Sequence, residues 1–119
     1  MTPTEVAQRL VVLCRQGAYE TAQLELYAAD AVSLEPEGAP SPNVTGRDAI
    51  IAKGKHFVAA MEIHGGNVSD AVVACAFFSL SMSLDLTPRG GGERFQMEEI
   101  CVYEVRDGKI VREQFFYPL

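Results

Sequence analysis

The chain has 119 residues, of which 48% are hydrophobic, enough to bury one core and too few for a second domain. Its net charge of −6 is spread without a basic cluster, which argues against nucleic acid and anionic membrane surfaces as partners, since both are recognised by Lys/Arg patches. Three well-separated cysteines, Cys14, Cys75 and Cys101, each lie in an apolar stretch and read as small buried thiols rather than ligands or disulfides. The N-terminal segment has neither the basic start nor the apolar core of a signal peptide, and no run reaches membrane-spanning length, so a cytoplasmic protein is expected. That expectation also sets aside the glycosylation sequon Asn43-Val44-Thr45.

Thr2-Pro3-Thr4-Glu5 has the form of a capping box with proline at the first helical position, and Val6, Leu10, Leu13 and Cys14 recur at helical spacing up to Gly17. The spacing predicts a helix over residues 3 to 16. A shorter helix is predicted from Ala18 through Tyr27, with Tyr19, Ala22 and Leu26 on one face and an end near Ala29. Val32 to Glu35 is β-like and is stopped by Pro36; Pro36, Pro40 and Pro42 make the segment up to Asn43 a loop. Thr45-Gly46-Arg47-Asp48 has a second capping-box form and opens a helix carrying Ile50, Gly54, Phe57 and Met61 on one face.

From Glu62 onward the pattern is that of strands. Phe78, Leu80, Met82, Leu84 and Leu86 alternate with Ser79, Ser81, Ser83 and Asp85, which predicts a half-buried antiparallel strand. Pro88 to Gly92 precedes a strand rather than a helix, so its glycines read as a hairpin connection and not as a phosphate cradle. Two long strands follow, joined at Asp107-Gly108. On the first, Met97, Glu99, Cys101, Tyr103 and Val105 share the more apolar face; on the second, Val111, Glu113, Phe115 and Tyr117 form a similar set. Burying an ionised carboxylate costs several kcal/mol unless it is paired or changes its pKa, so either Glu99 and Glu113 line a cavity, or the strands face the other way, or the two acids sit at a wet rim beside Arg94 or Arg112. Helices first and antiparallel strands after them predict an α+β domain in which a curved sheet wraps the helices.

The order of these elements resembles that of the nuclear transport factor 2-like superfamily, which includes ketosteroid isomerase and the SnoaL-like polyketide cyclases. The segments from Tyr27 to Pro36, from Thr45 to Ile50 and from Val105 to Val111 look like the recurrent signatures of SnoaL-like domains. Met97 to Tyr117 is similar to a bacterial SnoaL-like subfamily largely without assigned activity. The resemblance implies a cone-like roll, with the N-terminal helices packed in the concave face of a curved, mainly antiparallel sheet and a pocket open at one end. The positions expected to line the pocket are Tyr27, Phe57, Met82, Met97, Cys101, Tyr103, Phe115 and Tyr117. The outer sheet face of such proteins commonly packs against a second copy, and Ser79, Ser81 and Ser83 beside Ile100 and Val102 suit that role, so a homodimer is expected.

Aligned without gaps from Tyr27, Glu35 falls where ketosteroid isomerase carries the aspartate that shuttles its proton. Glu35 is then either a carboxylate made basic by desolvation in an apolar cavity or a solvated loop acid beside Glu37. The helix position that offers a tyrosine to the oxyanion in that enzyme is Val11 or a neighbour here, and its late-strand aspartic acid falls near Cys101, two residues from Glu99. Steroid isomerisation is therefore not expected. His64, on the first long strand with Val68, reads either as an acid-base partner of Glu99 or Glu113 or as a satisfied core or rim residue. His56 reads as surface beside Lys53 and Lys55. Two histidines and scattered glutamates lack metal-ligand spacing, and no nucleophile elbow is present. The expected function is cofactor-free proton transfer on a small apolar carbonyl compound, an isomerisation, cyclisation or dehydration, with Glu35 as base and His64, Glu99 and Glu113 as its polar partners. The alternatives are a non-catalytic binder with the same pocket and a dimeric assembly module without one.

Overall fold

The structure is a computed structural model that describes residues 1–119. Helix α1 (Pro3–Arg15) starts at the capping box: the Glu5 amide donates to Thr2 Oγ1 at 3.1 Å and the Thr2 amide donates to Glu5 Oε1 at 2.8 Å. Gly17, at φ +71°, turns the chain out of α1, a left-handed conformation that glycine adopts without strain. Helix α2 (Tyr19–Leu26) then runs directly into strand β1 (Tyr27–Leu34). The strand thus begins at Tyr27 rather than Val32, because its early residues are placed by distant pairing: β1 runs parallel to the last strand, with a register irregularity between Tyr27 and Val32.

Strand β2 (Val44–Thr45) pairs antiparallel with β1 and leads into α3 (Arg47–Ala60). The second capping box does not form. Thr45 is held opposite Val32 in the ladder, and the helix is preceded by Gly46 at φ +103°, with no side-chain cap. Strands β3 (Met61–Val68), β4 (Val72–Ala74), β5 (Phe77–Pro88), β6 (Phe95–Arg106) and β7 (Lys109–Phe116) complete a sheet of order β2-β1-β7-β6-β5-β3, with β4 also on β5. Every pair except β1 with β7 is antiparallel.

The inward face of β5 is the one its alternation predicts: Phe78, Leu80, Met82, Leu84 and Leu86 are all buried. On β6, Cys101, Tyr103 and Val105 are buried with Met97 and Glu99 half-buried beside them. Across the turn, Asp107 and Gly108 both take positive φ, +51° and +75°, the geometry that two-residue hairpins favour. A bulge between Glu104 and Val105 sets Val105 opposite Ile110, so Ile110 fills the core site that simple alternation gives to Val111.

The core joins the buried face of α1, Val6, Leu10, Leu13 and Cys14 among it, to the inner faces of β5 and β6, where the rings of Phe78 and Tyr103 stack at 4.7 Å. The result is an α+β cone: helices in the concave face of a curved, mostly antiparallel sheet. Cys14 and Cys101 are buried, but Cys75 is exposed in the β4–β5 turn at φ +53°, against the reading of all three thiols as interior. No helix is long and apolar enough to cross a membrane.

Candidate functional site

The cone holds a half-open cavity of about 510 Å³ between α2, α3 and the inner sheet face, within the range of small-ligand sites. Tyr27, Phe57, Met82, Met97, Tyr103, Phe115 and Tyr117 line it, together with the acids Glu20, Glu35, Glu99 and Glu113; Glu20 is exposed and pairs with Lys55 at 3.0 Å. Cys101 does not. It points inward from β6 but is fully buried in the core cluster that also contains Leu10 and Cys14 of α1, behind the cavity rather than at its wall.

Glu113 is 3% exposed. Parallel pairing sets Ser33 of β1 directly opposite it, and the Ser33 hydroxyl donates to Glu113 Oε2 at 2.6 Å. The Tyr27 hydroxyl donates to the other oxygen, Oε1. Desolvation pushes the Glu113 carboxyl above its ordinary range, against the opposing pull of the two hydroxyls and Lys53. Burial and the facing Glu113 charge keep the Tyr27 phenol protonated as a donor.

Lys53 extends this chain of contacts. Its ammonium donates to Ser33 Oγ at 2.6 Å, to Glu35 Oε2 at 2.9 Å and to the Pro42 carbonyl at 3.3 Å. The second Glu35 oxygen accepts from Tyr117 at 2.5 Å, and the Glu35 amide donates to Asn43 Oδ1 at 2.7 Å. Both oxygens of Glu35 are therefore occupied. Reading α3 for its apolar face alone misses Lys53, although it lies three residues after Ile50 and four before Phe57, on the face that packs inward. The same ammonium stands 5.6 Å from the centroid of the Phe115 ring.

Glu99 is different. Its hydrogen-bond partner is the Cys101 thiol, with Sγ 3.6 Å from Oε1, and burial pushes its carboxyl up to about 7. Burial also raises the Cys101 thiol, and the Glu99 charge raises it further, so the thiol stays a donor. Tyr19, at the start of α2, also lines the cavity. Burial raises its phenol, and the charges it feels include that of Glu99.

His64 lies outside the site. It is the unpaired residue of a β3 bulge between Ile63 and Gly65, and a one-residue insertion sends a side chain to the other face. His64 is exposed, with Nε2 2.7 Å from Thr87 Oγ1, while Ile63 takes the place at the cavity wall. An acid-base pairing of His64 with Glu99 or Glu113 is thereby excluded. Val11 is buried in α1 away from the cavity, so the phenol hydroxyls on its wall come from Tyr19, Tyr27, Tyr103 and Tyr117 instead.

Residues 1–117 match the sequence profile of the SnoaL-like domain. The chain belongs to this family. A candidate SnoaL-like polyketide cyclase from Mesorhizobium loti superposes with a TM-score of 0.93 at 34% identity, covering 98% of this chain and 100% of that one. A nuclear transport factor 2-like protein from Burkholderia thailandensis (TM-score 0.84, 18% identity, 99% and 92% covered) and a protein of cystatin-like fold from Xanthomonas campestris (0.80, 13%, 100% and 92%) share the fold. No functionally curated protein matches the sequence.

Proposed function

We propose that this SnoaL-like protein binds a small, largely apolar carbonyl compound and exchanges a proton with it through Glu99, without a cofactor. The contrast among the pocket acids carries this reading. Glu35 and Glu113 have both oxygens engaged by protein donors, whereas Glu99 is held only by a thiol and has its carboxyl raised to about 7. A base whose pKa lies near the working pH combines a populated carboxylate with useful basicity. The position that resembles a catalytic aspartate, Glu35, serves instead to fix the wall.

In this reading the Glu99 carboxylate takes a proton from the carbon next to the substrate carbonyl. The Tyr19 hydroxyl, which makes no hydrogen bond within the chain, donates to the oxygen as enolate charge develops, a contribution on the order of 3 kcal/mol. Returning the proton at another carbon isomerises the substrate; attack of the enolate carbon on a second carbonyl closes a ring, the proton held by Glu99 passing to the new alkoxide. The polyketide cyclase named for the Mesorhizobium loti protein supports the second outcome. The engaged state of Glu35 and Glu113 also supports a second reading, a binder that performs no chemistry. Self-association through the outer sheet face and residence in a reducing interior, where three free thiols persist, complete the proposal.

Tetralone in deuterated buffer separates the two readings. Catalytic exchange of its α-protons that disappears in Glu99→Gln, with binding retained, is the result expected of the enzyme. Binding without exchange in the unaltered protein identifies a binder, and undiminished exchange in Glu99→Gln removes Glu99 from the mechanism.

A further inference from the structure

A second cavity of about 500 Å³ opens beside the first, between the turn after α1 and strand β3. Cys14, Gly17, Tyr19, Val58, Ile63 and Leu84 line both. The two spaces therefore share one wall. The character of the lining changes across it. The main cavity is mostly apolar and carries Glu20, Glu35, Glu99 and Glu113, while the side cavity has no acidic residue in its lining and opens at the exposed residues Gln16, Gly17 and Asn67. Its one charged residue is Arg15, tied by its guanidinium to the Val68 carbonyl at 2.9 and 3.1 Å and to Asp70 at 2.9 Å.

The sequence of β3 makes room for this side cavity. Gly65 and Gly66 bring no side chains to its wall. Strand pairing also fixes its distance from Glu99: Gly66 pairs with Leu84, and Leu84 with Met97, the inward neighbour of Glu99. Two interstrand steps of this kind span about 10 Å. A compact bicyclic molecule against Glu99 would leave the side cavity empty.

We infer that the two cavities form one channel, and that the ligand is an elongated carbonyl compound. Its carbonyl end lies against Glu99, and its chain passes Tyr19 and Val58 to an end that reaches solvent beside Gln16, at the turn after α1. This rests on the carbonyl reading of the main cavity and adds to it the shape of the substrate. Val58 is 47% exposed on α3 and lines both cavities, so a larger side chain there would narrow a passage between them.

Calorimetric binding of linear methyl ketones from butanone to dodecanone, and of dodecanone carrying a terminal hydroxyl, tests the channel. Each methylene buried in an apolar passage adds to affinity, so a gain of at least about tenfold from butanone to dodecanone is expected. The terminal hydroxyl leaves that gain intact, because it emerges into solvent at the exposed turn beside Gln16. In Val58→Trp the indole narrows the passage and the dodecanone-to-butanone affinity ratio collapses toward one. Short ketones that bind with no gain from length overturn the channel while the carbonyl site stands, as does a length dependence unchanged in Val58→Trp or a hydroxyl that abolishes it. Failure of every ketone to bind overturns both readings together.

Discussion

Lys53 Nζ lies 2.9 Å from Glu35 Oε2, with 13% and 8% of the two side chains exposed. A pair this buried contributes little net stability over an apolar replacement, but removing one partner strands the other charge, at a cost of about 3 kcal/mol or more. Lys53 also supplies a donor to Ser33, which in turn holds Glu113. Lys53→Met is therefore expected to lower stability in urea by about 3 kcal/mol at neutral pH. Adding Glu35→Gln should recover at least about 1 kcal/mol of that loss, since residues sharing a network couple. Losses that simply add in the double variant would show that the two side chains do not act together.

The Glu99 carboxyl sits at about 7 in the folded chain against about 4.3 in an unfolded one. Because the folded value is the higher, the folded state holds more protons between these limits. The associated stability is fully present below about 4.3 and is lost as pH rises through about 7. Glu113, also raised by burial, acts with the same sign. Glu99→Gln removes the buried charge, so it should stabilise the protein at pH 8 by about 3 kcal/mol and leave it nearly unchanged at pH 4. Urea midpoints across that range check this, and pH curves that run parallel in the two proteins contradict it. The α-proton exchange assigned to Glu99 should rise with pH through the same window as its carboxylate forms.

Local chemistry made part of this molecule legible from its sequence. The Thr2–Glu5 box, the alternation of β5 and the Asp107-Gly108 turn are each specified by residues a few positions apart, and each forms. What escaped is set by partners far along the chain. The parallel pairing of β1 with β7 starts a strand at Tyr27 and sets Ser33 on Glu113; no short window of sequence contains both. Bulges after Ile63 and Glu104 each shift a strand by one residue, which removes His64 from the site and exchanges Val111 for Ile110. The acids of β6 and β7 were identifiable because they interrupt apolar faces. Their division of labour was not, since it depends on which of them Lys53, Tyr27 and Tyr117 reach.

Gly65 and Gly66 are adjacent but meet different surroundings. A Cβ on Gly65 would have open space, whereas one on Gly66 would collide with the Ser83 carbonyl oxygen and lie 2.9 Å from Leu84 Cδ2. The obstacle at Gly66 is backbone of a paired strand and cannot swing aside. Gly66→Ala is expected to cost about 2 kcal/mol or more through overpacking, and Gly65→Ala to stay within about 0.5 kcal/mol of the unaltered chain. Thermal unfolding of the two variants decides the point, and equal tolerance would mean that β3 and β5 are not paired as described.

The outer face of the sheet carries its own signal. Ser81, Ile100 and Phe116 are cross-strand neighbours in one row, with Ser79, Val102 and Gln114 in the next. Ile100 and Phe116 are each 49% exposed, as is Phe77 on the same face. Neighbouring exposed apolar side chains ringed by small polar ones mark an interaction surface, and a stable dimer needs about 800 Å² from each partner, which the broad face of a curved sheet can offer. A twofold interface near this row would bring Ile100 close to its counterpart. Ile100→Lys would then place two like charges together in a desolvated contact. We expect twice the chain mass in sedimentation equilibrium for the unaltered protein and the single-chain mass for Ile100→Lys, with unchanged circular dichroism showing that the fold survives. A single-chain mass for the unaltered protein at tens of micromolar would end the dimer proposal, while the pocket and its acids, which all lie on the opposite face, would stand.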